Sequence, residues 1–256
     1  NFNKMNQIPS VDLRDFLSDN KQTKSMFVQT IGKAFQEIGF CAVSGHFIDD
    51  DLVNRLYGQI KLFFDLPNDV KRKYENPEFS GQRGYVSFGK ESAKGSKHGD
   101  LKEYWHFGQY ISEKEITKYN YFPNIIVDEL PEFNKVGEEV YKTLEKTAKY
   151  VLRALALFLE IDENYFDNYI KNGNSILRPI HYPPITEDPK EAVRAAAHGD
   201  INLITLLMGA HGKGLQVKNT KGEWIDAVAS EDELMINIGD MLSRHTNNVL
   251  KSTVHR

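Results

Sequence analysis

With 256 residues, the chain is long enough to bury a large core as one elaborated domain. Its 32 basic and 36 acidic residues are interspersed and leave a net charge of −4, which excludes the basic footprint of a nucleic-acid or anionic-membrane binder. The longest apolar stretch, residues 151–159, is interrupted by Arg153 and too short to span a bilayer, and no basic-then-apolar leader opens the chain, so a soluble cytoplasmic protein is expected.

Along the chain, Phe27, Ile31, Ala34, Phe35 and Ile38 recur at helical spacing. The single cysteine, Cys41, excludes an internal disulfide framework. Within Phe40-Cys-Ala-Val43 it reads as a core thiol on a short buried strand, with no nearby positive charge to make it a nucleophile. A second helical pattern runs through Leu52, Val53, Leu56, Ile60, Phe63 and Phe64, with an N-cap offered by Asp49-Asp50 and Pro67 beyond its end. Residues 76–102 are rich in Gly, Ser, Lys and Asn and show no period, which reads as a mobile substrate lid. Residues 131–160 form a long helix whose buried stripe is Phe133, Val136, Val140, Leu144, Ala148, Val151 and Leu155.

After Ile176 the pattern changes to short β runs at 203–208, 215–218, 224–228 and 234–238, punctuated by glycine- and asparagine-rich turns. Regularly spaced short strands predict a sandwich or jelly roll, and with the helices an α+β class. Three stretches follow: a helical amino-terminal region (1–110), a linking long helix (111–175) and a jelly-roll core (176–256), all expected to share one compact unit.

The chemistry concentrates in His198-Gly199-Asp200 and His255. In an extended strand residues i and i+2 share a face, so His198 and Asp200 can grip one ion together. Two imidazoles and a carboxylate are the ligand set of a non-heme Fe(II) oxygenase, in which three protein ligands on one face leave the opposite positions open. A lone His-x-Asp can equally be a turn or a surface accident, so the flanks decide.

Those flanks are Ala195-Ala-Ala-His-Gly-Asp-Ile-Asn-Leu-Ile-Thr-Leu-Leu207, Gly214-Leu-Gln-Val217, Trp224-Ile225, Asn237-Ile-Gly-Asp240, Thr246-Asn247 and Ser252-Thr-Val-His-Arg256. Upstream stand Ile8-Pro-Ser-Val-Asp-Leu13, Glu37-Ile-Gly-Phe40, Gly45-His46, Phe63-Phe-Asp-Leu-Pro67, Gly84-Tyr85, Lys102-Glu103 and His181-Tyr-Pro-Pro184. In this order and spacing they resemble the isopenicillin N synthase-like family of 2-oxoglutarate/Fe(II)-dependent dioxygenases over almost the whole chain. The resemblance implies a double-stranded β-helix, with His198, Asp200 and His255 as metal-binding and catalytic residues. It implies Fe(II), 2-oxoglutarate and O2, with ascorbate as a reductant. The reaction it implies is oxidation of a C–H bond of a small-molecule substrate by hydroxylation, desaturation or cyclisation, releasing succinate and CO2. Two alternatives stay open: a 2-oxoglutarate-independent Fe(II) oxidase of isopenicillin N synthase type, and a non-catalytic metal- or ligand-binding jelly roll.

The resemblance also implies that Tyr182 hydrogen-bonds the 2-oxoglutarate carboxylate, although a tyrosine packed before a Pro-Pro turn is the plainer reading. Many plant members carry asparagine two residues before that tyrosine; here the position is Ile180. Arg83, Gly84 and Tyr85 match a region that faces substrate in some members, where a guanidinium could clamp a carboxylate; an ordinary loop arginine is the alternative. Lys102 and Glu103 fit a structural ion pair equally well. His46 and His106 read as core or cap residues, His98 and His211 as solvent-facing, His245 as a neighbour of the site at most, and Asp240 as a turn residue. The family continues past its distal histidine with a strand carrying Arg-x-Ser, whose arginine anchors the far carboxylate of 2-oxoglutarate. The sequence ends at Arg256, so no residue here takes that role and both ends are expected to be trimmed.

Overall fold

The computed structural model describes residues 7–90, 102–184, 195–212 and 214–256. The chain begins with strand β1 (Ser10–Asp12), helices α1 (Leu13–Phe16) and α2 (Lys21–Glu37), strand β2 (Phe40–Ser44) and helices α3 (Asp50–Phe64) and α4 (Asn68–Arg72). A 3-10 turn (Pro77–Phe79), strands β3 (Gly84–Val86) and β4 (Glu103–His106) and helix α5 (Glu113–Tyr119) follow. Next come α6 (Pro131–Phe158), α7 (Asp167–Ile170), β5 (Ile180–His181), β6 (Ile204–Leu207), β7 (Gln216–Lys218), β8 (Trp224–Asp226), β9 (Leu234–Ile238) and α8 (Asp240–His245).

The helices start and stop where local chemistry dictates. Asn20 caps α2 by accepting from the amides of Gln22 and Thr23, and Asp49 caps α3 by accepting from Leu52. Helix α2 buries Phe27, Val28, Ile31, Ala34 and Phe35, and Gly39 just beyond it takes a left-handed φ of 79°. Helix α6 ends at Phe158, just short of the expected boundary at residue 160, because Glu160 turns the chain through a left-handed φ of 57°. Among the described residues no helix is long and apolar enough to cross a membrane.

The folded chain groups differently from the three consecutive stretches read in the sequence. It forms two compact units: the described residues of Asn1–Phe47, Lys146–Asn168 and Ala197–Arg256, and those of Ile48–Glu145 and Tyr169–Ala196. In the first, β9 lies between β2 and β6 in a four-stranded sheet ordered β1-β2-β9-β6. Only the β1–β2 pairing is parallel. A second layer is the β7–β8 hairpin, extended by bridges from Val217 to His255 and from His255 to His198. Phe40, Ala42 and Met235 of the sheet pack in one apolar cluster with Val217 and Ala227 of that layer. The result is a two-layered jelly-roll core.

In the second unit, β4 lies between β3 and β5 over an aromatic core. Phe63 stacks on Phe133 at 5.0 Å, and Trp105 meets Phe133 edge-on at 5.1 Å. Over residues 76–90, this unit corrects the lid expected at 76–102. Residues 91–101 of that stretch, with His98, lie outside the described residues. Residues 76–90 contain the 3-10 turn and β3, which pairs antiparallel with β4 and is fully buried. They are scaffold, because β4 supplies the ladder partners that a free lid would lack.

Candidate metal centre

The ladder that joins the end of the chain to His198 assembles the site. His198 and His255 exchange both backbone hydrogen bonds at 2.9 Å, which makes them directly opposed antiparallel partners with side chains on one face. Their ring centroids are 4.5 Å apart. Asp200 returns to the same face, and its Oδ1 lies 3.8 Å from His198 Nε2 and 3.7 Å from His255 Nε2. One ligand atom from each residue falls within 4.8 Å of the others, close enough for one ion to touch all three. No other described group of three or more His, Cys, Asp or Glu residues clusters in this way.

Neighbouring groups set the direction of the His255 and Asp200 donor atoms. His255 Nδ1 lies 3.1 Å from the Thr253 carbonyl, which can only accept, so the proton sits on Nδ1 and the Nε2 lone pair faces the site. The segment is moored to the end of α2, where Thr253 Oγ1 donates to Ile38 O at 2.7 Å and the Lys251 amide to Phe35 O at 2.9 Å. Phe40 of β2 meets the His255 ring edge-on at 5.4 Å. Asp200 Oδ2 accepts from Thr205 Oγ1 at 2.6 Å and from Asn237 Nδ2 at 2.8 Å. Burial pushes this carboxyl up, but those two hydrogen bonds, helped by the adjacent imidazoles, outweigh it and hold the group below the usual carboxylate range. Asp200 is therefore ionised at neutral pH, as a metal ligand must be. Two imidazole nitrogens and one carboxylate oxygen on one face fit a first-row divalent ion such as Fe(II).

The other expected site residues are placed differently. Tyr182 follows β5 in the second unit and is half-buried. Arg83 is 1% exposed and donates to the carbonyls of Phe122 and Gln82 and to Asn174 Oδ1. Its guanidinium fills the space left by Gly108, where an added Cβ would fall 1.9 Å from Arg83 Cζ. Tyr85 is buried in the aromatic core and donates to Glu103. Arg83 and Tyr85, expected to face substrate, have their polar atoms turned into the scaffold.

Glu103 also accepts from Lys71 and His181, each at 2.8 Å. His106 Nδ1 lies 2.6 Å from Gly81 O, and its Nε2 accepts from Arg178 at 2.6 Å, consistent with a core residue. His245 pairs with the Tyr165 hydroxyl and Asp240 opens α8; neither joins the cluster. The reading of single residues missed Thr205 and Asn237 as partners of Asp200. Their signal was a polar residue inside each of two otherwise apolar strands.

The comparisons with known proteins agree with this geometry. Residues 8–129 match the family model described as non-haem dioxygenase in morphine synthesis N-terminal, and residues 171–256 match that of the 2OG-Fe(II) oxygenase superfamily. A 2-oxoglutarate-Fe(II) type oxidoreductase from Aspergillus fumigatus is 32% identical over 97% of this chain and 76% of its own. A crystal structure of a 2OG-Fe(II) oxygenase family protein from Caulobacter crescentus superposes with a TM-score of 0.88 at 38% identity, over 97% of this chain and 79% of that one. A full-length Neurospora crassa protein crystallised in complex with alpha-KG and thymine superposes with a TM-score of 0.86 at 30% identity, over 99% and 80%. The chain belongs to the 2OG-Fe(II) oxygenase superfamily. It is a 2-oxoglutarate-dependent Fe(II) dioxygenase, an oxidoreductase that uses O2.

Proposed function

We propose that His198, Asp200 and His255 hold the Fe(II), and that the enzyme oxidises a C–H bond of a small organic molecule by hydroxylation, desaturation or cyclisation. The observation that carries this reading is the convergence of His198 Nε2, His255 Nε2 and Asp200 Oδ1 on one point. A neighbour solved with alpha-KG and thymine supports a substrate of that size class. The lone, buried Cys41 supports a reducing, cytoplasmic setting.

When bound, the iron supplies the redox chemistry that couples oxidative decarboxylation of 2-oxoglutarate to oxidation of the substrate. The chain's own residues orient and neutralise. Asp200 brings one negative charge, while the two imidazoles would bind as neutral donors. The Thr253 carbonyl keeps the His255 proton on Nδ1, away from the ion. We assign Tyr182 one neutral hydrogen bond to the cosubstrate carboxylate, contributing about 0.5–1.5 kcal/mol net.

The test is succinate release by anaerobically Fe(II)-loaded protein on admission of O2, with and without each member of a small-molecule panel that includes thymine. Release that a panel member stimulates, and that H198A abolishes, is the expected result. Substrate oxidation without succinate, or succinate release undiminished in H198A, overturns the reading.

A further inference from the structure

We propose that Thr205 and Asn237 are positioning residues that hold Asp200 as a one-oxygen metal ligand, reserving the remaining coordination positions for the cosubstrate. This deepens the Fe(II) reading above and rests on it. A carboxylate offers about four lone-pair sites on two oxygens and can bind a metal through one oxygen or both. Here both donors act on the same oxygen. Oδ2 takes Thr205 Oγ1–H at 2.6 Å and Asn237 Nδ2–H at 2.8 Å, while Oδ1 faces the two imidazoles. Turning Oδ2 toward an ion would break both hydrogen bonds at once.

The donors are themselves fixed. Asn202 Nδ2 donates to Thr205 Oγ1 at 2.9 Å. That interaction occupies a hydroxyl lone pair, so the single hydroxyl hydrogen is committed to Asp200. Thr205 and Asn237 sit directly opposite each other on β6 and β9, and Asn237 is opposite Phe40 on β2. One cross-strand row thus carries Thr205, Asn237 and Phe40, whose ring meets His255. The other four residues of β9 are apolar and all five are buried. An amide in such a strand costs stability unless it is hydrogen-bonded, and an aliphatic residue would suit a merely structural position. Its use is visible at Asp200. A two-oxygen aspartate would take a fourth coordination position, which a chelating cosubstrate needs.

Co(II) serves as the probe, since its binding and visible spectrum report coordination without turnover. Co(II) affinity, the Co(II) spectrum and 2-oxoglutarate affinity of the Co(II)-loaded protein are measured for wild type, T205V, T205S, N237A and T205V/N237A, alongside thermal melts. We expect T205V and N237A each to weaken Co(II) binding by roughly 10–100-fold. The double variant should also show an altered spectrum and weaker 2-oxoglutarate binding, and T205S should restore the wild-type values. T205V is near-isosteric, so it carries the test if N237A fails to fold. A folded T205V with wild-type Co(II) affinity, spectrum and 2-oxoglutarate binding overturns the proposal while leaving the metal site standing. A wild-type protein that binds no Co(II), or a D200A variant that binds it equally well, overturns the metal reading itself and the proposal with it.

Discussion

Asp200 in the first unit and Glu103 in the second are both carboxylates withdrawn from solvent, yet their surroundings differ in kind. Glu103 has an ammonium against it: Lys71 Nζ and the Tyr85 hydroxyl donate to Oε2, and His181 Nδ1 lies against Oε1. Lys71 is tied in turn to the Phe64 carbonyl, and the pair is almost wholly buried, with side chains 5% and 2% exposed. Charge and lone pairs are satisfied within the protein. Asp200 receives only neutral donors, both on one oxygen, and turns the other toward two imidazoles. A carboxylate neutralised by its own scaffold is a fixture, whereas one steadied by neutral donors keeps its charge for an ion.

The sharpest way to break this contrast is to remove each carboxylate. Asp200→Ala should abolish turnover and metal binding. Its melting temperature should fall by less than that of a variant that strands a buried cation, since what is lost is the acceptor of two neutral donors, Thr205 and Asn237, at a cost of about 1–3 kcal/mol. Wild-type succinate release by D200A would refute the assignment of the ligand. Glu103→Ala should do the reverse in kind. It strands Lys71 in the core and should cost about 3–5 kcal/mol in denaturant unfolding. Unfolding of E103A at the wild-type midpoint would show that Lys71 finds solvent or another partner.

Arg83 sharpens the comparison from the cationic side. Arg83→Ala leaves the Phe122 and Gln82 carbonyls without this donor and opens a void over Gly108, so a loss of about 1–3 kcal/mol is expected with little change in KM for substrate. A large rise in KM at unchanged stability would restore the substrate-clamp reading.

The smallest effect is expected at Asp167, a half-buried carboxylate that Arg153 contacts at 2.7 Å. That hydrogen bond, against a smaller desolvation cost, holds the Asp167 carboxyl below its ordinary value. Its stabilising contribution is therefore present above the ordinary aspartate range and is lost as pH falls through the lowered value. Asp167→Asn should cost at most about 1 kcal/mol at neutral pH. Its stability curve should converge with wild type in acid, and a difference that grows as pH falls would reverse the sign argued here.

Helical periodicity by itself determined α2, α3 and α6, because the apolar stripe of a helix is written within a few turns of local sequence. The strands at 204–207, 216–218, 224–226 and 234–238 were legible in the same way from short apolar runs between turn residues. His198-Gly199-Asp200 was legible because a period of two puts both side chains on one face, and family flanks named His255 as the third member. Only the tertiary structure decided what lies beside these residues. The row Thr205, Asn237 and Phe40 crosses three strands whose order, β2-β9-β6, brings together segments from opposite ends of the chain. Arg83 reads in sequence as a substrate clamp or a loop arginine because the groups that bury it, Phe122, Asn174 and Gly108, are all distant in sequence. Local pattern specifies which face of an element is apolar. Strand order and register specify which residues meet across it, and these follow from the packing of the whole core, which no single segment encodes.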